Sequence, residues 1–72
     1  MDAGKTGKFI AKQRKIMNMT QNELAEKLHI TDKAVSKWER GLSFPDISIL
    51  IPLAEILNIS LYDLLKGGND DE

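Results

Sequence analysis

One local pattern recurs three times in this chain: an apolar residue, then Ser or Thr, then an apolar residue four positions further on. The copies are Met19-Thr20-Leu24, Ile30-Thr31-Val35 and Ile59-Ser60-Leu64. Each reads as a hydrophobic staple around a helix N-cap. The hydroxyl accepts from the free amides of the opening turn, and the apolar pair fixes the angle at which the chain enters the helix. Helices are therefore predicted to start at Thr20, Thr31 and Ser60, and Glu23 completes a capping box at the first.

The first two staples frame the stretch TQNELAEKLHITDKAVSKWER, Thr20 to Arg40, as two short helices joined by the tight turn Leu28-His29-Ile30. Leu24, Ala25 and Leu28 give the first helix one apolar face. Val35 and Trp38 give the second its inner face, while Asp32, Lys33, Ser36, Lys37 and Arg40 fall on one stripe opposite. A helix fits the DNA major groove, where base edges offer donor and acceptor patterns that short polar and long basic side chains can read. The physical reading is a helix-turn-helix.

The run T-Q-x-E-L-A-x-K-L followed by I-T-x-x-x-V-S-K-W-E-R-G resembles the helix-turn-helix of phage repressor and Cro proteins and their bacterial xenobiotic-response-element-type relatives. The resemblance extends from about Gly7 to Leu65. It implies an all-α, compact five-helix bundle of the lambda-repressor-like DNA-binding type. The chain departs from the family pattern in the turn, where many members carry glycine and this one carries His29; histidine tolerates a positive φ better than most residues.

With 72 residues the chain is one domain, and a core of that size buries only about 60% of the unfolded surface. Marginal stability is expected. No cysteine is present, which removes disulfides and thiolate ligands and fits a cytoplasmic setting. The segment MDAGKTGKFIAKQRK lacks the apolar run of a signal peptide. The most apolar stretch, Ile47 to Leu57, is interrupted by Ser48, Pro52 and Glu55 and is too short to span a bilayer. The net charge of -1 conceals a polarity along the chain. Residues 1–41 hold nine Lys or Arg against five acids, and residues 42–72 hold one against six. The basic half is the one that carries the helix-turn-helix, as a phosphate-binding partner requires.

Residues 1–6 read as a flexible leader, residues 7–66 as the folded domain with its motif at about 20–40, and residues 67–72 as a flexible acidic tail. The string GKTGK lacks the earlier glycine and preceding strand of a phosphate-binding loop, and is read as a coincidence. A first helix is predicted from Thr6 or Gly7 to Met17, with Ile10, Arg14 and Met17 inward, Lys8, Lys12 and Lys15 outward, and Asn18 in the left-handed conformation that closes it. Met17 and Met19 are expected in the core. Arg14, a charge on an inward face, needs a partner; the resemblance implies that the partner is Glu39. After the loop Gly41 to Pro45, a fourth helix is predicted from Asp46 to Leu57, with Ser43 as an alternative cap. It is apolar almost all round, and Pro52 removes one of its amide donors. A fifth helix runs from Leu61 to Lys66.

For function, the expected partner is double-stranded DNA, bound sequence-specifically by a transcriptional regulator acting as a repressor. Thr31, Asp32, Lys33, Ser36 and Lys37 are the candidates for the groove, and Arg40 for phosphate. The resemblance implies that Gln21 reaches phosphate or braces the recognition helix. One such helix reads few base pairs, so a homodimer on a palindromic operator is expected, with Ile49, Leu61 and Tyr62 as candidates for the two-fold contact. Trp38 reads as a core filler. His29, the single histidine, has no second ligand beside it, so no metal, cofactor or catalytic site is expected, and nothing groups a nucleophile, a base and an orienting residue. The competing reading is a protein-interaction or antitoxin-like module that docks a partner protein through its fourth and fifth helices.

Overall fold

The computed structural model describes residues 2–68, which form five helices and no strand. They are α1 (Ala3–Ile16), α2 (Gln21–Leu28), α3 (Asp32–Glu39), α4 (Ile47–Leu57) and α5 (Leu61–Lys66). The three staple caps behave as hydroxyl caps should. Thr20, Thr31 and Ser60 accept from the amides of Glu23, Ala34 and Asp63, and Glu23 Oε1 returns a bond to the Thr20 amide at 2.8 Å. Met19, Ile30 and Ile59 are half-buried against the core.

The core gathers one face from every helix: Ile10 from α1, Leu24 and Ala25 from α2, Val35 and Trp38 from α3, Leu50, Leu53, Ala54 and Leu57 from α4, and Leu64 from α5. Each fully buried leucine or valine contributes about 1.5–3 kcal/mol of transfer free energy, and the cluster is continuous. The helix α1 lies mainly along α3, which also packs closely on α2. α3 is thus held from two sides.

The amino terminus differs from its sequence reading. Residues 3–6 are the first turn of α1 and not a leader, because Asp2 caps that turn, accepting from the amides of Gly4 and Lys5. Thr6 is buried, and its hydroxyl donates to the Leu64 carbonyl at 3.3 Å, tying α1 to α5. The glycines of GKTGK have a packing role. A Cβ on Gly7 would overlap the carbonyl oxygen of Trp38, and one on Gly41, at φ +73, would come within 2.9 Å of Gly4 Cα. α1 therefore meets the end of α3 backbone to backbone, a distance only glycine permits.

The end of α1 and the end of the domain also shift, while α4 keeps its expected limits. Met17 is the C-cap of α1 and is 39% exposed, outside the core, while Asn18 adopts the left-handed φ of 58° that ends the helix. α4 uses Asp46 as its cap and continues through Pro52 to Leu57. At the carboxyl end, Gly67 caps α5 and Gly68 is buried against Phe9, so these two residues belong to the domain. Residues 69–72, the rest of the expected tail, lie outside the described residues.

Candidate nucleic-acid interface

The turn between α2 and α3 depends on His29, which sits in the left-handed region at φ 59°, ψ 41°. Its amide donates to the Glu26 carbonyl at 3.2 Å and the Ile30 amide donates to the Ala25 carbonyl at 3.0 Å. This is the Schellman pattern that satisfies the last carbonyls of a helix. The turn turns the chain directly into the Thr31 cap, and so fixes which face of α3 looks outward.

That outward face carries Asp32, Lys33, Lys37 and Arg40, all exposed, with Ser36 half-buried among them. Val35 is fully buried and Trp38 is 4% exposed on the opposite face. Thr31 is exposed, but its hydroxyl already accepts from the Ala34 amide at 3.3 Å, leaving its proton for a ligand. Asp32 stands in the first turn and Lys37 in the last, the placement that complements the helix dipole. Arg40, the C-cap of α3, folds back along the stripe. Its Nε lies 3.2 Å from Ser36 Oγ and 3.4 Å from the Ser36 carbonyl oxygen.

Behind the stripe lies a polar network. Arg14 donates from Nε to Glu39 Oε2 at 2.7 Å, from Nη2 to Glu39 Oε1 at 3.0 Å, and from Nη1 to the Met19 carbonyl at 2.8 Å. Gln21 Nε2 completes it, donating to Glu39 Oε1 at 2.9 Å. The hydrogen bond with Glu39 raises the Arg14 guanidinium above its ordinary value, against the lowering effect of burial, so the guanidinium stays charged. One carboxylate at the end of α3 thus ties together α1 and the start of α2, and Arg14 extends the network to the α1–α2 turn. Gln21 braces the end of α3 from here, and its carbonyl oxygen and second amide proton remain for other partners.

The candidates for a two-fold contact separate. Tyr62 is 71% exposed and Leu61 39%, with Lys66 Nζ 5.1 Å from the centre of the Tyr62 ring. Ile49 is not an exposed residue: it is half-buried against the core. The apolar side chains that α4 presents to solvent are Ile47, 80% exposed, and Ile51, 58% exposed, one turn apart. An apolar periodicity that runs all round a helix does not say which isoleucine faces out. Sequence reasoning also missed the Arg40–Ser36 contact, for which the i, i+4 spacing on one helix face was the available signal.

Among the described residues, no three His, Asp or Glu side chains come together to hold a metal ion, and no helix is long and apolar enough to cross a membrane.

Comparison with known proteins gives a consistent result. The family model described as helix-turn-helix matches residues 10–64. The uncharacterized transcriptional regulator YqaE of Bacillus subtilis is 40% identical over 63 residues, covering 88% of this chain and 54% of its own length. The transcriptional regulator DicA of Escherichia coli is 38% identical over 66 residues, 92% of this chain and 49% of its own. The cryptic phage CTXphi transcriptional repressor RstR of Vibrio cholerae is 33% identical over 63 residues, 88% of this chain and 56% of its own. This chain therefore spans about half the length of these relatives. Among solved structures, the P22 c2 repressor in complex with a synthetic operator superposes with a TM-score of 0.82 at 32% identity, covering 86% of this chain and 94% of that one. The restriction-modification controller protein C.AhdI of Aeromonas hydrophila superposes with a TM-score of 0.80 at 25% identity, covering 88% and 96%.

Proposed function

The chain belongs to the helix-turn-helix family, and from that premise we propose that it is a sequence-specific double-stranded DNA-binding transcriptional regulator that acts as a repressor. It works by occupying an operator in the cytoplasm and not by catalysis. The observation that carries this is the division of α3, with its apolar face sealed around Val35 and Trp38 and its polar stripe turned outward. The stripe enters the major groove. Lys33 and Lys37 donate to guanine O6 and N7, Asp32 accepts from cytosine N4, and Thr31 and Ser36 hydrogen-bond base edges between them. Arg40 and the amides at the start of α2 hold phosphate. A repressor solved on its operator and a phage repressor among the relatives support the direction of regulation.

A second copy of the chain is the partner that completes the binding unit. Two recognition helices about 34 Å apart then read a palindrome, and Tyr62 and Leu61 with Ile47 and Ile51 supply the apolar surface for the pairing. Selection of binding sites from random duplexes is expected to return a palindromic motif, and sedimentation a concentration-dependent dimer. Replacing both Lys33 and Lys37 with alanine is expected to abolish operator binding while leaving the melting temperature unchanged. Undiminished binding by that double variant would defeat the groove assignment. Weak, salt-labile and sequence-indifferent binding by the unmodified chain would favour a module that docks another protein.

A further inference from the structure

We propose that Arg40 sets the hydrogen-bonding polarity of Ser36, making it a donor in the groove, so that specificity at one base pair belongs to the two residues together. The inference rests on the DNA-binding reading above and deepens it. A serine hydroxyl has one proton and two lone pairs, and by itself pairs with either an acceptor or a donor on a base edge. Such a serine discriminates poorly. Here the guanidinium of Arg40 lies one helical turn away with Nε 3.2 Å from Ser36 Oγ. The same Nε also reaches the Ser36 carbonyl at 3.4 Å, and the Arg40 amide donates to that carbonyl at 3.0 Å. The side chain therefore approaches Ser36 at two points, beside the backbone bond between the same two residues.

The chemistry of arginine makes the contact directional. A guanidinium has five N–H donors and no acceptor. The Ser36 oxygen must accept from it. Its O–H then points away from Arg40, and the adjacent positive charge makes the proton a better donor and the remaining lone pair a poorer acceptor. Half-burial of Ser36 narrows the rotamers open to its hydroxyl. Facing the groove, the pair complements the acceptors guanine N7 and O6, adenine N7 and thymine O4, and disfavours the cytosine amino group. Arg40 keeps its two terminal nitrogens for phosphate, so one residue positions the reader and anchors the helix.

The test is competitive binding to four duplexes that differ only at the base pair facing Ser36, chosen from the selected operator, and carried out at low salt. The unmodified protein is expected to prefer an acceptor-bearing edge by about five-fold, the discrimination of one neutral hydrogen bond. Ser36→Ala is expected to flatten that preference. Arg40→Met is expected to flatten it at the same base pair, in addition to weakening binding to all four duplexes equally through the lost phosphate contact. The Ser36→Ala/Arg40→Met double variant is then no flatter than Ser36→Ala alone. A preference that survives Arg40→Met, or that moves to a different base pair from the one Ser36→Ala affects, overturns the inference and leaves the DNA-binding reading intact. Equal binding of all four duplexes and of unrelated DNA by the unmodified protein overturns both.

Discussion

Arg14 and Glu39 face each other across α1 and α3 in a two-pronged ion pair, Nε to Oε2 at 2.7 Å and Nη2 to Oε1 at 3.0 Å, with side-chain exposures of only 11% and 7%. The pair fastens the last residue of the recognition helix to the first helix of the domain. Removing one partner leaves a charge with little access to water, which costs about 3 kcal/mol or more. Arg14→Leu is therefore expected to lower the midpoint of thermal unfolding by at least ~10 °C. Replacing both, as Arg14→Met with Glu39→Leu, is expected to cost less than half as much, because no charge is stranded and Gln21 at the rim can turn to water. Calorimetry on the two variants and the unmodified protein checks this; equal losses would mean that the pair contributes geometry alone.

The meeting of α1 with the end of α3 gives a second prediction. In an isolated helix, Gly to Ala gains about 1 kcal/mol. At Gly7 the new methyl meets the Trp38 carbonyl, a main-chain atom with no side-chain freedom to yield, so Gly7→Ala is expected to destabilise by roughly 1–3 kcal/mol. At Gly4 the nearest atom is Asp2 Oδ1 at 3.4 Å, an ordinary contact, and Gly4→Ala is expected to be neutral or mildly stabilising. Opposite signs for the two changes in urea unfolding support the close approach.

The contrast between these glycines also marks what the sequence revealed and what it hid. Helix starts at Thr20, Thr31 and Ser60 were legible because a cap and its staple are local features, resolved within a few residues. So was the division of α3 into two faces, since only one stripe is polar. The first turn of α1 was hidden, because Gly4 and Gly7 depress helix propensity and their neighbours, the backbone of Trp38 at Gly7 and Gly41 at Gly4, are distant in the chain. The outward choice of Ile47 and Ile51 over Ile49 was hidden by the uniform apolarity of α4. In both places tertiary contact decides, and periodicity carries no information about it.

Asp46 caps α4, accepting from the Ser48 amide at 3.1 Å and the Ser48 hydroxyl at 2.6 Å. The hydroxyl bond first and the amide bond second hold its carboxyl below the ordinary value of 3.8. A carboxyl depressed in the folded state contributes stability that is complete above the unfolded value and is lost as pH falls through the folded one. Acid titration of stability below that ordinary value is expected to show this loss. Asp46→Asn, which keeps an acceptor and does not ionise, is expected to remove that part of the slope while retaining the helix start. An identical acid limb in both proteins would assign the loss to other carboxylates.

His29 offers the last prediction, since it occupies a conformation that suits glycine. At φ 59° and ψ 41° its Cβ crowds the following carbonyl, a cost of roughly 1–2 kcal/mol for an ordinary L-residue, somewhat less for His. Glycine relieves that crowding and returns part of the gain as extra freedom in the unfolded chain. His29→Gly is expected to stabilise by a net ~0.5 kcal/mol, a few degrees in the unfolding midpoint for a domain of this size. His29→Val, β-branched and ill suited to a positive φ, is expected to destabilise by more than that. Because the turn aims α3, the valine variant is also expected to weaken operator binding at temperatures well below its own unfolding, whereas the glycine variant keeps full affinity. A valine variant that melts early yet binds normally when cold would mean that the turn contributes stability without setting the angle of the recognition helix.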